Sequence, residues 1–408
     1  MKYPIGIQSF DRIIEDGYVY VDKTAMIYSL VKEGKIYFLS RPRRFGKSLL
    51  VSTLKNYFLG RKELFKGLAI DRLEKDWLEY PVFHLDFNGS NFREEGTLEK
   101  VIEGHISAWE KEYDLPSKRE WGIGWRFIQL LRQVHERTGR RVVFLVDDYD
   151  KPLLEVRDSK LETVVDGNKM QLETRVRNEL RGFYSALKAA DEHLHFVFLA
   201  GLTQDLQKGE YGGFNHPEDI SMNHRYEALC GITQEELDTY FADPISCTGE
   251  QHDIDAEAVK RVLKRQYGGY HFGDDLVEVY NPCSLLRALD AKSTRDCWFQ
   301  SDMSTYLLQQ LNRTRSNLNE LAGRHYNSLD FMYPDVNAPK LLSTLYQWGF
   351  LTIKGYNMRR NTFLLDFPND EVKNGFLAMV ASDYLKPRSS VSNWVQDTGT
   401  VDDWKVIE

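Results

Sequence analysis

The sequence predicts an α/β fold: a mostly parallel sheet with helices on both faces, then a helical unit, then a helix-and-hairpin unit. Three observations predict it. Four short apolar runs, at 36–39, 82–85, 142–146 and 196–199, have the length and the Val, Ile, Phe and Tyr content of strands buried on both faces. Helical segments at 48–59, 98–111, 124–136 and 176–190 separate them, and such alternation makes βαβ units. Past residue 233 the alternation stops and helical patterning takes over.

The elements follow in order. The first strand runs straight into Ser40-Arg41-Pro42-Arg43-Arg44-Phe45-Gly46-Lys47-Ser48, which opens a helix. The second strand has one polar interruption, His84. The third ends in Asp147-Asp148-Tyr149-Asp150-Lys151-Pro152. Residues 158–169 are polar and lack a period, which predicts a mobile loop. The next helix has Leu180, Phe183, Tyr184 and Leu187 on one face. The fourth strand leads into Ala200-Gly201-Leu202-Thr203-Gln204. From there to Asn223, Gly, Asn and His predict a long loop at the C-terminal edge of the sheet.

Thr233-Gln234-Glu235-Glu236 fits a capping box, in which hydroxyl and carboxylate satisfy N–H groups at a helix start. Helices are expected until about residue 327. Leu341, Leu342, Leu345 and Trp348 then line a helix face, and 350–353 and 362–367 read as strands around Asn357-Met358-Arg359-Arg360-Asn361. Helix followed by hairpin is the outline of a winged helix. The division expected is a core with an N-terminal arm at 1–228, a helical lid at 229–327, a winged-helix-like module at 328–370, and a C-terminal helix and tail at 371–408.

Composition narrows the function classes. The chain has 408 residues, with 42% hydrophobic and 13% aromatic, so it can bury a core. Its 53 basic and 61 acidic residues give a net charge of −8, which excludes a surface coated for nonspecific nucleic-acid binding. No apolar run approaches the roughly 20 residues of a membrane span. Met1 to Gly6 lacks the apolar stretch of a signal peptide. Cys230, Cys247, Cys283 and Cys297 form no C-x-x-C pair, which predicts reduced thiols in a cytoplasmic protein. The His residues show no metal-binding spacing.

Two strand ends carry the chemistry. At the first, helix-start N–H groups and the helix dipole favour an anion. Gly46 allows close approach, Lys47 reaches β- and γ-phosphates, and Ser48 can ligate Mg²⁺. Arg41 stands where G-x-x-x-x-G-K-[ST] has its first glycine, and the loop's three arginines are expected to add charge toward phosphate. Alone, Gly46-Lys47-Ser48 reads equally as a basic turn without nucleotide. At the second, Asp147 is placed to hold Mg²⁺ and Asp148 to orient a water. Asp148 is one methylene shorter than a glutamate. At the end of the fourth strand, Thr203 is the first candidate to contact the γ-phosphate or the water, and Gln204 the next.

Gly17-Tyr18-Val19-Tyr20-Val21-Asp22-Lys23-Thr24, the Arg41–Ser48 loop and the Asp147–Pro152 turn together resemble the bacterial AAA-ATPase-like family. Leu229-Cys230-Gly231-Ile232-Thr233, Asn281-Pro282-Cys283-Ser284-Leu285 and Asp366-Phe367-Pro368-Asn369 resemble its later blocks. The resemblance runs to about residue 385. It implies a P-loop NTPase sheet with a helical lid, ATP and Mg²⁺ as cofactors, and a loop that usually lacks the first glycine. Members often carry a C-terminal nuclease domain of the PD-(D/E)XK type. After Phe367 about 40 residues remain, without the matching acidic and lysine motif. The chain is therefore expected either to be truncated or to lack the nuclease. The family usually has Glu where Asp148 stands.

The expected site is Asp148, Lys47 and Thr203 for catalysis, and Arg43, Arg44, Phe45, Gly46, Lys47, Ser48 and Leu49 around the nucleotide. Ser48 and Asp147 are expected on the metal. Arg175, Arg177, Arg181 and Arg225 are candidates for an arginine finger. Asp22 and Lys23 either pack under the base or make an N-terminal salt bridge. Trp77, Trp109, Trp121 and Trp125 are core or interface anchors. The expected function is ATP hydrolysis driving a conformational change of the C-terminal module. Two alternatives stay open: a nucleotide-switched binding protein with little hydrolysis, and the ATPase part of a system with a nucleic-acid or nuclease partner. No membrane partner is expected, and the oligomeric state is left open.

Overall fold

The computed structural model describes residues 1–165, 167–204, 217–294, 307–308, 311, 321–332 and 340–384. Cys297, residues 205–216 of the loop expected as far as Asn223, and the tail after residue 384 lie outside the described residues.

The sheet is built from β1 (Ile36–Ser40), β2 (Val82–Asp86), β3 (Val142–Asp147), β6 (Leu194–Gly201) and β7 (Glu218–Asp219), with a ribbon of β4 (Glu162–Val165) and β5 (Asn168–Gln171) lying between β3 and β6 in the chain. Its order is β2-β3-β6-β1-β7, all parallel. β1 therefore has β6 on one side and the short β7 on the other, so the loop after β1 lies beside the end of β6. Side chains alternate between two cores. Tyr37, Leu39, Val143, Leu145, Phe196 and Phe198 join one, whereas Phe38, Val142, Phe144, Val146, Val197 and Leu199 join the other. Burial on both faces explains why 36–39, 82–85, 142–146 and 196–199 read as nearly continuous apolar runs, with His84 the one polar interruption.

The expected helices are present as Lys47–Phe58, Thr97–Glu112, Ile123–Thr138 and Leu172–Ala189. One expectation is overturned. The polar segment 158–169 is no mobile loop: it holds β4 (Glu162–Val165) paired antiparallel with β5 (Asn168–Gln171). Thr163 and Arg175 both reach Glu95, which ties the ribbon to the body. With one buried residue in β4, the ribbon lacks the apolar period that marks a strand. The edge strand β7 also went unread, because two residues are too few for a pattern.

The unit after residue 231 packs its own core from Ile232, Leu237, Phe241, Val259, Leu263, Tyr280 and Leu285, with Val19 and Val21 of the N-terminal arm against it. The capping box is formed: Glu236 N donates to Thr233 Oγ1 at 3.2 Å, and Thr233 N donates to Glu236 Oε2 at 2.8 Å. β8 (Ile232–Thr233) pairs with β9 (Val279–Tyr280). Further on, the helix Lys340–Gln347 precedes β11 (Thr352–Asn357) and β12 (Thr362–Asp366), and β10 (Arg324–Tyr326) pairs with β12. Residues 341–350 are buried throughout. Leu341, Leu342 and Leu345 belong to the same core as β1 and the helix after it.

Candidate functional site

The loop between β1 and the helix Lys47–Phe58 is bent by two left-handed residues, Arg44 (φ 69°) and Gly46 (φ 92°). Such conformations let successive N–H groups converge on an anion. No atom lies within 4 Å of where a Cβ on Gly46 would stand, so the space beside it is open. Lys47 is buried, and its Nζ donates to the carbonyls of Arg41 (3.0 Å) and Pro42 (3.2 Å). An ammonium has three protons. Two strap the loop around its hollow, and one remains for a ligand.

The arginines divide. Arg43 is exposed and Arg44 half-buried. Arg41 does not face the hollow, contrary to the expectation that it lends charge to phosphate. Its guanidinium is buried, donates to the carbonyls of Ser40 (2.9 Å), Ser221 (2.7 Å) and Tyr226 (3.1 Å), and lies 4.2 Å from the centre of the Phe272 ring. The residue in place of the first glycine is thus a structural bolt between loop and lid. Phe45 is likewise turned away: its ring packs edge-on against Tyr270 and Phe272. Of Phe45, the backbone is what remains for a phosphate.

Opposite the loop, the ends of β2 and β3 put three carboxylates close together. Asp86 is the register partner of Asp147, and Asp148 follows. Burial and the neighbouring Asp148 charge push Asp147 up to about 6, while a hydrogen bond from Ser48 and the charge of Lys47 act the other way. Asp147 and Ser48 are therefore brought together, as the sequence predicted. The Ser48 hydroxyl and Asp147 carboxylate are hard oxygen donors of the kind Mg²⁺ takes, though among the described residues no three His, Cys, Asp or Glu side chains are grouped to hold a metal ion. Asp148 sits in the left-handed region (φ 50°), a conformation Asp tolerates better than most residues. Its Oδ2 accepts a 3.0 Å hydrogen bond from Asn88 Nδ2, which also donates to Asp86 Oδ1 at 2.8 Å. Lys151 Nζ donates to Asn88 Oδ1 at 2.9 Å.

Asp86 and Asn88 were not singled out in the sequence. The signal was there: polar residues just past a strand that lies next to the acidic strand. Reading it requires the strand order.

Thr203 is fully buried, and its hydroxyl donates to Asp150 Oδ2 at 2.7 Å. Gln204 is also buried, and among the described residues its Oε1 has no hydrogen-bond partner. Of the two strand-end candidates, Gln204 thus has the uncommitted side-chain acceptor.

Beside the loop lies a mostly apolar cavity of about 100 Å³. Gly46, Leu49 and Thr53 form one wall, Tyr20, Val21 and Lys23 of the arm a second, and Cys230, Gly231, Ile232 and Pro282 of the lid a third. Leu49 is thus a wall residue rather than a phosphate contact. Lys23 Nζ is held by both oxygens of Glu236, at 2.5 and 2.6 Å, so arm and lid helix are bridged there. Asp22 makes the structural contacts: it accepts from Thr24 N (2.8 Å), Thr24 Oγ1 (2.6 Å) and Ala69 N (2.7 Å).

The arginine-finger candidates lie elsewhere. Arg175 pairs with Glu95 and Glu179, Arg177 with Glu173, and Arg225 with Glu33. Arg181 is exposed. Trp109 stacks on Phe83 at 4.5 Å in the core and Trp77 contacts Phe65, while Trp125 is exposed.

Comparison with known proteins agrees with this geometry. The family described as predicted AAA-ATPase matches residues 4–209. A protein from Azotobacter chroococcum mcd 1, described as an uncharacterized protein in the vnfD 5′ region, is 34% identical over 399 residues, spanning 96% of this chain and 72% of that protein. Among solved structures, the Aeropyrum pernix ORC1 protein in complex with DNA is 10% identical, with 92% of this chain and 95% of that one covered at a TM-score of 0.30. The Aeropyrum pernix ORC2 protein, in ADPNP and ADP complexes, is 11% identical over 91% and 98% at a TM-score of 0.33. Superpositions that loose carry no argument, and the fold stands on the sheet itself. The chain belongs to the predicted AAA-ATPase family.

Proposed function

We propose that this AAA-ATPase-like protein binds ATP with Mg²⁺ between the β1 loop and the cavity, and hydrolyses it slowly. The observation that carries the reading is Lys47. Its ammonium is fixed across two loop carbonyls at a helix N-terminus, with Asp147 opposite and an apolar cavity beside it. The phosphates lie against the loop N–H groups and Lys47. The purine base enters the cavity between Leu49, Val21 and Ile232. Ser48 and Asp147 hold Mg²⁺, which when bound neutralises charge on the phosphates. Asp148 accepts a hydrogen bond from the attacking water, and Gln204 faces it from the end of β6.

Closure on nucleotide reaches the lid through three contacts already made: Lys23 with Glu236, Arg41 with Phe272, and Phe45 with Tyr270. The lid and the C-terminal module are the parts that ATP repositions. The winged-helix-like module acts here as packing, since the helix that would enter a DNA groove is buried. Arg359 and Arg360 in the exposed turn are its outward cations. Among the described residues no helix is long and apolar enough to cross a membrane.

The experiment is Lys47→Ala with a fluorescent ATP titration. Loss of the phosphate-facing cation is expected to lower affinity on the order of 100-fold with the fold retained. Unchanged affinity in the folded variant overturns the site. A second reading, a nucleotide switch with little hydrolysis, is favoured by Asn88, which already occupies an oxygen of Asp148. Phosphate release under saturating ATP separates the two.

A further inference from the structure

We propose that Asp150 is a positioning residue for hydrolysis: its carboxylate fixes the end of β6 to the acidic turn, and thereby sets Gln204 against the reacting phosphate. The inference rests on the ATPase reading above.

The parallel ladder between β1 and β6 ends at the pair Ser40 and Gly201. Beyond it, side chains bind the backbone groups of Leu202 and Thr203. Asp150 Oδ2 accepts from Leu202 N at 3.1 Å, from Thr203 N at 2.6 Å and from Thr203 Oγ1 at 2.7 Å. Tyr149 Oη donates to Thr203 O at 2.8 Å. Ser40 Oγ, the last residue of β1, donates to Leu202 O at 2.8 Å. Every backbone group of this two-residue step is therefore gripped, by the acidic turn on one side and by the start of the phosphate loop on the other.

The grip is close. A Cβ on Gly201 would collide with the Tyr149 ring and stand 2.8 Å from Asp150 Oδ1. Asp150 itself is buried, and a buried carboxylate is retained where several donors hold it in its charged form. Burial pushes its acidity down, and the Thr203 and Leu202 hydrogen bonds oppose that. The turn it anchors begins at Asp148, in the left-handed region, and the next residue's N–H, Tyr149 N, donates to Ala200 O of β6 at 3.1 Å. One side chain therefore holds two things in register: the water-facing Asp148 and Gln204, the first residue beyond the clamp. The Asp150 carboxylate is engaged by Leu202 and Thr203. Its effect is geometric, and a displacement of about 1 Å can cost on the order of 100-fold in rate.

The test uses the full chain and three variants, Asp150→Asn, Tyr149→Phe and Gln204→Ala. Asparagine keeps the shape but points an NH₂ at N–H donors. ATP affinity in Asp150→Asn is expected to stay within about threefold of wild type, while single-turnover hydrolysis falls at least about 30-fold. Gln204→Ala lowers turnover in the wild-type background and adds nothing in Asp150→Asn, because a misplaced Gln204 has no contribution left to lose. Hydrogen exchange of the Leu202 and Thr203 amides is expected to accelerate in Asp150→Asn with or without nucleotide.

Three results overturn the proposal: wild-type turnover in folded Asp150→Asn, additive losses with Gln204→Ala, or unchanged exchange at Leu202 and Thr203. If Asp150→Asn does not fold, Tyr149→Phe loosens the same clamp through one bond. It should lower turnover several-fold at unchanged affinity, and unchanged turnover there counts against the clamp. Exchange is read without chemistry, so the clamp can stand if the wild type proves not to hydrolyse ATP. In that case the ATPase reading fails and the positioning role for hydrolysis fails with it, while the structural grip survives.

Discussion

Replacing Arg41 by methionine separates two roles that its position in the loop leaves confounded. As a phosphate ligand, Arg41 would be dispensable for folding and its loss would weaken ATP. The structure gives the opposite expectation. Methionine matches the stem but removes the guanidinium, so among the described residues the Ser40 and Ser221 carbonyls lose their donor in the interior, while Tyr226 O keeps the Leu229 N–H at 3.1 Å. An unsatisfied buried acceptor costs about 1–2 kcal/mol. The desolvated stack on Phe272 adds about 2 kcal/mol. Removing a buried charge returns part of that sum, because burial itself disfavours the ion and lowers the Arg41 pKa. A net loss of about 3–5 kcal/mol follows. Urea unfolding followed by tryptophan fluorescence measures it, and a nucleotide titration on the folded protein measures affinity. Stability should fall by that amount, with affinity changed no more than a few-fold. Stability within about 1 kcal/mol of wild type, together with a tenfold or greater loss of ATP affinity, would refute the reasoning. Lysine should not rescue, since one ammonium cannot span three carbonyls set around a planar fork.

Other substitutions test the site and the sheet. Asp147→Asn should weaken ATP binding in the presence of Mg²⁺ much more than in EDTA; equal loss in both would make Asp147 structural. Asp148→Asn should lower turnover on the order of 100-fold and spare affinity, and Asp148→Glu should also lower it, because a longer acid fits a left-handed backbone and the Asn88 grip less well; faster turnover in the Glu variant would refute that. His84 gives a pH signature. Burial, with Lys55 adding to it, lowers it from 6.5 to about 4, and among the described residues its Nε2 has no hydrogen-bond partner. The unfolded chain binds the proton more tightly, so the stability held above pH 6.5 is lost as pH falls toward 4, by roughly 3 kcal/mol at 1.36 kcal/mol per unit. His84→Leu should flatten that part of the urea-midpoint profile, and an unchanged acid limb would show that His84 is solvated.

What the sequence made legible was local. The loop, the acidic turn and the capping box each lie within a few residues, and each obeys a rule about one strand end or one helix start. The four longer strands, β1, β2, β3 and β6, were readable because side chains on both their faces enter a core. The β4–β5 ribbon was not, because one buried residue in β4 leaves no period to see. Nor was the role of Arg41, since a basic residue in a phosphate loop invites a phosphate and nothing in the chain order announces Ser221, Tyr226 and Phe272 around it. The same holds for Asn88 and Asp150.

These last three share a cause. Each acts across strands that are neighbours in space and far apart in the chain: Asn88 sixty residues from Asp148, Asp150 fifty-three from Thr203, Arg41 one hundred and eighty from Ser221. The strand order β2-β3-β6-β1 brings four carboxyl ends into one row. A parallel sheet puts every strand's C-terminal end on the same side, so polar residues just beyond each strand meet whatever their spacing in the chain. The motif supplies a lysine and two acids. The row supplies what keeps them in register, and it is there that substitutions should separate turnover from affinity.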